Sequence, residues 1–178
     1  MFGETRPVPP AAVKHKEAHR ALAELKYEVF REFISMKPHR FDQRLGERSY
    51  PCVQFATRTA PIFSEWHERF YRGSKKIVPL EIARYLSPLA LAVWFMDDGA
   101  ADHAGATIQT HSFDLDEVEL LRSVLRVRFG LEAKLRKNKG SWILYVCSAS
   151  VGPMRAILGP YLLPVFGYKL SPRRSRTP

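Results

Sequence analysis

The stretch Leu86-Ser87-Pro88-Leu89-Ala90-Leu91-Ala92-Val93-Trp94-Phe95-Met96-Asp97-Asp98-Gly99 decides how the rest of this chain is read. Ser87 is a natural helix cap, and Pro88 suits the first helical position, where a missing N–H costs nothing. From Leu89 to Met96 every residue is apolar, which predicts a helix with no wet face, enclosed by protein on all sides. Small residues at Ala90 and Ala92 allow another helix to come close. The helix then carries Asp97 and Asp98 to its C-terminal end, where unpaired carbonyls already make the field negative. Two carboxylates there are unfavourable by roughly 0.3–1 kcal/mol each. A hard divalent cation reverses that cost, because carboxylate and carbonyl oxygens are its preferred ligands. Gly99 permits a sharp exit and a close approach of backbone to a ligand. These residues alone leave open a second reading, in which one aspartate merely caps the following turn.

Downstream, Asp114 and Glu117 form a D-x-x-E capping box for a helix carrying Val118, Leu121, Leu125 and Phe129, with Gly130 placed to close it. Alternation follows, Leu131, Ala133 and Leu135 against Glu132, Lys134 and Arg136. A turn at Asn138-Lys139-Gly140 returns the chain through Trp142 to Ser148. A last helix is predicted over about 150–162, with Met154, Ile157 and Leu158 on one side.

Upstream, the same order of elements is expected. Ala18, Leu22, Leu25, Val29 and Phe33 recur at spacings of three and four, predicting one helix over 14–34. Residues 40–57 alternate as a hairpin turning near Gly46, with Arg40, Asp42 and Arg44 opposite Phe41, Gln43 and Leu45. A second amphipathic segment after Pro61 uses Ile62, Trp66 and Phe70, and ends in a loop from Arg72 to Lys76. Lys76 stands three residues before Pro79 and Lys169 three before Pro172, as expected of a duplicated unit.

The bulk numbers agree with a folded, polyanion-binding protein. With 46% hydrophobic residues the chain can build a substantial core, and Lys plus Arg exceed Asp plus Glu by 28 to 18, a formal charge of +10. Cys52 and Cys147 have no metal-ligand spacing and read as thiols in a reducing compartment. The apolar run is far shorter than the roughly 20 residues of a membrane span, and the opening MFGETRPVPP lacks a secretory apolar core.

The segment ending WFMDDG resembles the second signature helix of two-repeat LAGLIDADG homing endonucleases, in the branch with that motif. The resemblance extends to KHKE at Lys14–Glu17, KKIVP at Lys75–Pro79, THSFDLDEVELL at Thr110–Leu121, RKNKG at Arg136–Gly140 and GYKL at Gly167–Leu170. It implies an α+β LAGLIDADG homing-endonuclease fold: an antiparallel β-sheet saddle with helices on one face and a pseudo-two-fold repeat whose first half is incomplete. The expected divisions are a partial first repeat over 13–86, a second repeat over 87–170 and a basic mobile tail over 171–178.

By the same resemblance, Asp98 is a metal-binding carboxylate with Gly99 beside it, and Lys76 and Lys169 are the basic residues that flank the metal centres. Mg2+ or another divalent cation is the implied cofactor, and site-specific hydrolysis of DNA phosphodiesters the implied reaction. Arg40, Arg44 and Gln54 in the first repeat, and Thr107, Gln109, His111, Lys134 and Arg136 in the second, are expected on polar strand faces that a major groove would accept. Lys139 at a hairpin tip suits phosphate. His111 departs from the glutamine common in relatives and is assigned neither metal nor proton chemistry.

A copy of the first signature helix is not found ahead of Val13, so the active enzyme is expected to draw that helix from an upstream segment or another chain. Double-stranded DNA is the expected partner, with no membrane. An inactive RNA-binding derivative, such as an intron-splicing maturase or a ribosome-associated binder, is the alternative. The expected location is intracellular, with mitochondrion, chloroplast and bacterial cytoplasm all left open.

Overall fold

The computed structural model describes residues 11–171, so most of the opening segment and of the basic tail lie outside it. Contacts divide the chain into two compact units, one ending at Arg69 and the other beginning at Phe70. The first unit runs β1 (Ala12–Lys16), α1 (Arg20–Val29), β2 (Ile34–Leu45), β3 (Arg48–Thr57) and α2 (Pro61–Phe70), whose last residue belongs to the second unit. Its sheet is antiparallel in the order β1-β3-β2.

Two expectations fail here for identifiable reasons. The helix does not begin at Lys14, because Lys14, His15 and Lys16 pair as an edge strand with β3, and the first helical turn after them is a short 3-10 turn. Starting α1 at Arg20 rotates its buried face, so Leu22 and Ala23 are buried while Val29 is 66% exposed. Tyr27 then meets the core ring of Phe55 edge-on at 5.9 Å. The hairpin is longer than its alternation suggests. It reaches back to Ile34 through Pro38, which an edge strand tolerates, and register shifts between Ile34 and His39 absorb the irregularity.

The second unit contains the small hairpin β4 (Tyr71–Arg72) and β5 (Lys75–Lys76), α3 (Ile82–Tyr85) and α4 (Pro88–Asp98). It continues with β6 (Gly99–Asp102), β7 (Gly105–Gln109), α5 (Leu115–Phe129), β8 (Ala133–Asn138), β9 (Ser141–Val146) and α6 (Ser148–Leu158). Its sheet is antiparallel in the order β6-β7-β9-β8. The β7-β9-β8 part repeats the β1-β3-β2 order of the first unit, with β6 added at one edge. The expected boundary near residue 86 falls inside this unit, because Val78, Ile82 and Leu86 join its core beside Leu91 and Val118.

Local chemistry accounts for most of these elements. The Ser87 hydroxyl accepts the Ala90 N–H at 3.1 Å, with Pro88 in the first turn of α4. Lys139 and Gly140 both have positive φ, the turn that suits a tight hairpin. The last helix starts at Ser148 rather than near 150 and holds Pro153 inside it, whereas Pro61 opens α2. At the head of α5, the Asp114 carboxylate accepts the Glu117 N–H at 3.2 Å, and Glu117 accepts the Asp114 N–H at 2.9 Å. The other Glu117 oxygen accepts the Val78 N–H at 3.0 Å, tying the residue 70–86 segment to this unit.

The Glu117 N–H, followed by the Lys75 ammonium, holds the Asp114 carboxyl below its ordinary value. A depressed carboxylate stabilises the fold above its unfolded pKa, and that contribution is lost as pH falls through the folded value. Asp114→Ala is therefore expected to lower the melting temperature by a few degrees at neutral pH. The gap to wild type should close as thermal melts are repeated below the ordinary carboxylate range.

Candidate functional site

The apolar helix α4 is a strut rather than a fully enclosed rod. Leu91, Ala92, Phe95 and Met96 are buried, but Leu89 is 41% exposed and Ala90, Val93 and Trp94 are half-buried, which corrects the expectation of burial on all sides. Asp97 and Asp98 are both exposed at its end. Gly99 leaves the helix in an extended conformation, not a left-handed one. Its lack of a side chain is required by Phe95: a Cβ at Gly99 would lie 2.2 Å from the Phe95 ring and 2.5 Å from its carbonyl oxygen. Gly99 therefore sets the point where the chain leaves α4, immediately after Asp98.

The negative end of α4 is capped by a buried cation. Lys169 is only 7% exposed, in the 3-10 segment Pro164–Leu170 anchored by buried Phe166 and Leu170. Its ammonium donates to the Met96 carbonyl at 2.6 Å and, more weakly, to the Asp97 carbonyl at 3.4 Å. Desolvation pushes the Lys169 pKa down, while Asp97 and Asp98 oppose that shift. A positive charge held there offsets the helix dipole at the point where the two carboxylates emerge.

Asp98 opens onto a cleft of about 500 Å³ whose lining includes Lys76, Trp94, Gln109, Thr110 and His111. They come from the β4–β5 hairpin, from α4, and from the end of β7 with the turn after it. Lys76 is exposed at the end of the β4–β5 hairpin, whose turn uses Gly73 at φ +61. Gln109 is the last residue of β7, and its Oε1 is buried with no hydrogen-bond partner among the described residues. Thr110 is buried and donates its hydroxyl to the Trp142 carbonyl at 2.7 Å, which fixes the path of the next turn. His111 sits in that turn, beyond the end of β7, not on a strand face. Gly99 is buried and does not line the cleft. The two lysines expected to be equivalent differ, since Lys76 lines the cleft and Lys169 caps the helix behind it.

The sheet face turned away from α5 and α6 carries Thr107, Gln109, Lys134 and Arg136, since directly opposed residues share a face. Lys134 and Arg136 are exposed, and Lys139 is exposed at the β8–β9 turn. Thr107 lies on this face between Ala100 of the edge strand β6 and Tyr145 of β9, and is only 6% exposed. In the first unit, the register separates residues expected together. Arg40 opposes Val53 and Arg44 opposes Ser49, on the face that α1 covers farther along the sheet. Gln54 opposes Lys14 and His39 on the other face. Lys14 and Lys16, which share that face with Gln54, were hidden from sequence reasoning by the helix assignment. The alternation of Val13 and His15 against them was the available signal.

The sequence profile of the LAGLIDADG DNA endonuclease family matches residues 10–153. The intron-encoded endonuclease ai4 of Dictyostelium discoideum is 36% identical over 143 residues, covering 79% of this chain and 87% of that protein. The cytochrome b mRNA maturase bI2 of Debaryomyces hansenii is 35% identical over 120 residues, covering 66% of this chain and 46% of that protein. The chain thus spans less than half the length of the maturase. Among solved structures, the homing endonuclease I-WcaI bound to its DNA recognition sequence aligns with a TM-score of 0.85 at 22% identity, covering 98% of this chain and 80% of that one. I-DmoI, solved in complex with DNA and Mn, aligns at 0.53 and 11% identity, covering 84% of this chain and 80% of that one. These likenesses establish an α+β fold shared with homing endonucleases.

Proposed function

The chain belongs to the LAGLIDADG DNA endonuclease family, and from that premise we propose that it is a site-specific, metal-dependent DNA endonuclease that works at the Asp98 cleft. The observation that carries this reading is the joint placement of Asp98, Lys76 and Gln109 around one cleft beside an exposed basic sheet face. The donor set suits a hard divalent cation such as Mg2+. An ionised carboxylate and an amide oxygen that is buried without a partner are both oxygen ligands of the preferred kind. Asp98 would hold the ion, with the unpartnered Gln109 Oε1 as a second oxygen donor lining the same cleft. When bound, such an ion polarises a phosphate and makes water a competent nucleophile near neutral pH.

The protein's own groups do the remaining work. Lys76 places an exposed ammonium in the cleft, where it offsets charge that builds on a phosphate oxygen. Lys169 acts from behind, holding the last carbonyls of α4 so that Asp98 is presented from a fixed helix end. Lys134, Arg136 and Lys139 in the second unit, and Lys14, Lys16 and Gln54 in the first, supply cationic and amide groups for a duplex. Arg-to-guanine and Gln-to-adenine contacts suit the major groove, and Lys139 suits phosphate. Arg40, Arg44 and His111 serve phosphates rather than base edges. An intron-encoded protein of this family would be made in an organelle or a bacterium, where free Cys52 and Cys147 would stay reduced. Among the described residues no helix is long and apolar enough to cross a membrane.

The test is to incubate the full chain with a randomised duplex library in Mg2+ and to sequence the newly made ends, scoring nicks and double-strand breaks separately. Cut molecules sharing one long site, and disappearing in EDTA, are the expected result. The similarity to a cytochrome b mRNA maturase favours one second reading, RNA binding without cleavage. That reading gains if no duplex is cut and the chain instead binds a structured intron RNA with a steep salt dependence that Asp98→Asn leaves unchanged.

A further inference from the structure

The exposed face of the β6-β7-β9-β8 sheet holds one arrangement that the proposed chemistry does not use. Arg136 on β8 lies over the Tyr145 ring on β9, its guanidinium carbon 3.2 Å from the ring centre, and Nη1 donates to Asp102 on β6 at 3.1 Å. The arginine thus spans the two middle strands to reach an acid on the opposite edge. Gly105 makes this possible. A Cβ there would lie 2.5 Å from Tyr145 Cζ and from its hydroxyl oxygen, so the ring occupies the space a side chain would fill. Gly105 also pairs directly with Asp102, which brings the platform and the acid side by side.

An arginine meant only for phosphate needs reach and charge, and a neighbouring acid works against both. Here the acid is half-exposed on a face otherwise suited to polyanions, where an isolated carboxylate is a liability. Such an exposed ion pair also adds little stability, so fold energetics do not account for it. What the acid and the ring accomplish is restraint: they fix a long side chain that would otherwise sample many rotamers. Among the described residues no other acceptor engages the Arg136 guanidinium, so most of its planar donor fork remains available. That fork matches guanine O6 and N7.

We propose that Asp102, Tyr145 and Gly105 form a cradle that holds Arg136 for reading a single guanine in the major groove, with Asp102 as a positioning residue. This rests on the DNA-binding reading above. The test is selection from a randomised duplex library by binding of the full chain in Ca2+ or EDTA, for wild type, Arg136→Ala, Asp102→Ala and Tyr145→Phe. Wild type should prefer guanine at one position by about tenfold or more, and Arg136→Ala should erase that preference alone. Asp102→Ala should reduce it to within about threefold, while affinity for unselected DNA stays level or rises because a negative charge is gone. Tyr145→Phe keeps the ring and should leave the profile unaltered. The proposal is overturned if Asp102→Ala tightens all sequences equally with the profile intact, if it relaxes a cytosine preference instead, or if Arg136→Ala weakens every sequence alike. Absence of any salt-sensitive duplex binding by wild type would overturn the DNA-binding reading itself, and this cradle with it.

Discussion

Asp98→Asn is expected to slow metal-dependent cleavage of a selected site by about a thousandfold, since the ion's stabilisation of transition-state charge is worth several kcal/mol. The same variant should bind that site at least as tightly as wild type, because it loses a negative charge beside the phosphate and no base contact. Its stability should change little. A carboxylate at a helix C-terminus is unfavourable by roughly 0.3–1 kcal/mol, but Asp98 is also attracted to the buried Lys169 ammonium, and removing its charge forfeits both effects. Activity is therefore predicted to fall while stability stays nearly level. Parallel assays of cleavage rate, binding in Ca2+ and urea denaturation would check all three. A variant that cuts normally would remove Asp98 from the chemistry, and one that unfolds would make its role structural.

The second large effect lies beneath the site. Phe95 is fully buried on α4, and Phe95→Ala is expected to cost about 3–5 kcal/mol in urea denaturation, a large share of a typical domain's stability. Its ring also defines where the chain leaves the helix, because it fills the space beside Gly99. Gly99→Ala should therefore destabilise by about 1–3 kcal/mol through overpacking. In the Phe95→Ala background that second cost should shrink without vanishing, since the Phe95 carbonyl would still crowd the new methyl at 2.5 Å. A double-mutant cycle reads this coupling directly. If the two costs simply add, the close packing of Phe95 on Gly99 does not fix the exit that presents Asp98.

What could be read from the sequence follows from how local each signal is. The start of α4, the Asp114–Glu117 box and the Lys139-Gly140 turn depend on residues within a few positions of one another, and all three form as their chemistry dictates. The strand β1 was unreadable for the opposite reason. Lys14-His15-Lys16 fits the lead-in to an amphipathic helix, and only the free edge of β3, some forty residues on, turns it into a strand. Faces in the long hairpin failed similarly. A register shift near Pro38 decides which of Arg40 and His39 shares a face with Gln54, and alternation alone cannot locate a shift.

The candidate site shows the same division. The position of Asp98 at the end of an apolar helix was legible from composition and capping, whereas a metal-binding role for it was implied only by the family resemblance. The separation of Lys76 from Lys169 was not legible, since similar spacing to a proline says nothing about burial. One lysine reaches a cleft from an exposed hairpin, while the other is drawn into the carbonyl end of α4 by the burial of Phe166 and Leu170. The burial of Thr107 was not legible because it depends on neighbours in the two adjacent strands, Ala100 and Tyr145. The Arg136–Asp102 pair, joining residues on opposite edges of the sheet, was equally out of reach.

The most direct measurement is a crystal structure of the chain with a selected duplex and Mn2+, read by anomalous scattering. An anomalous peak within about 2.5 Å of an Asp98 carboxylate oxygen, beside a backbone phosphate, is the result expected of a helix that exists to hand an oxygen ligand to a cation. A duplex seated on the sheet face with Mn2+ bound elsewhere, and Asp98 facing only water, would contradict it.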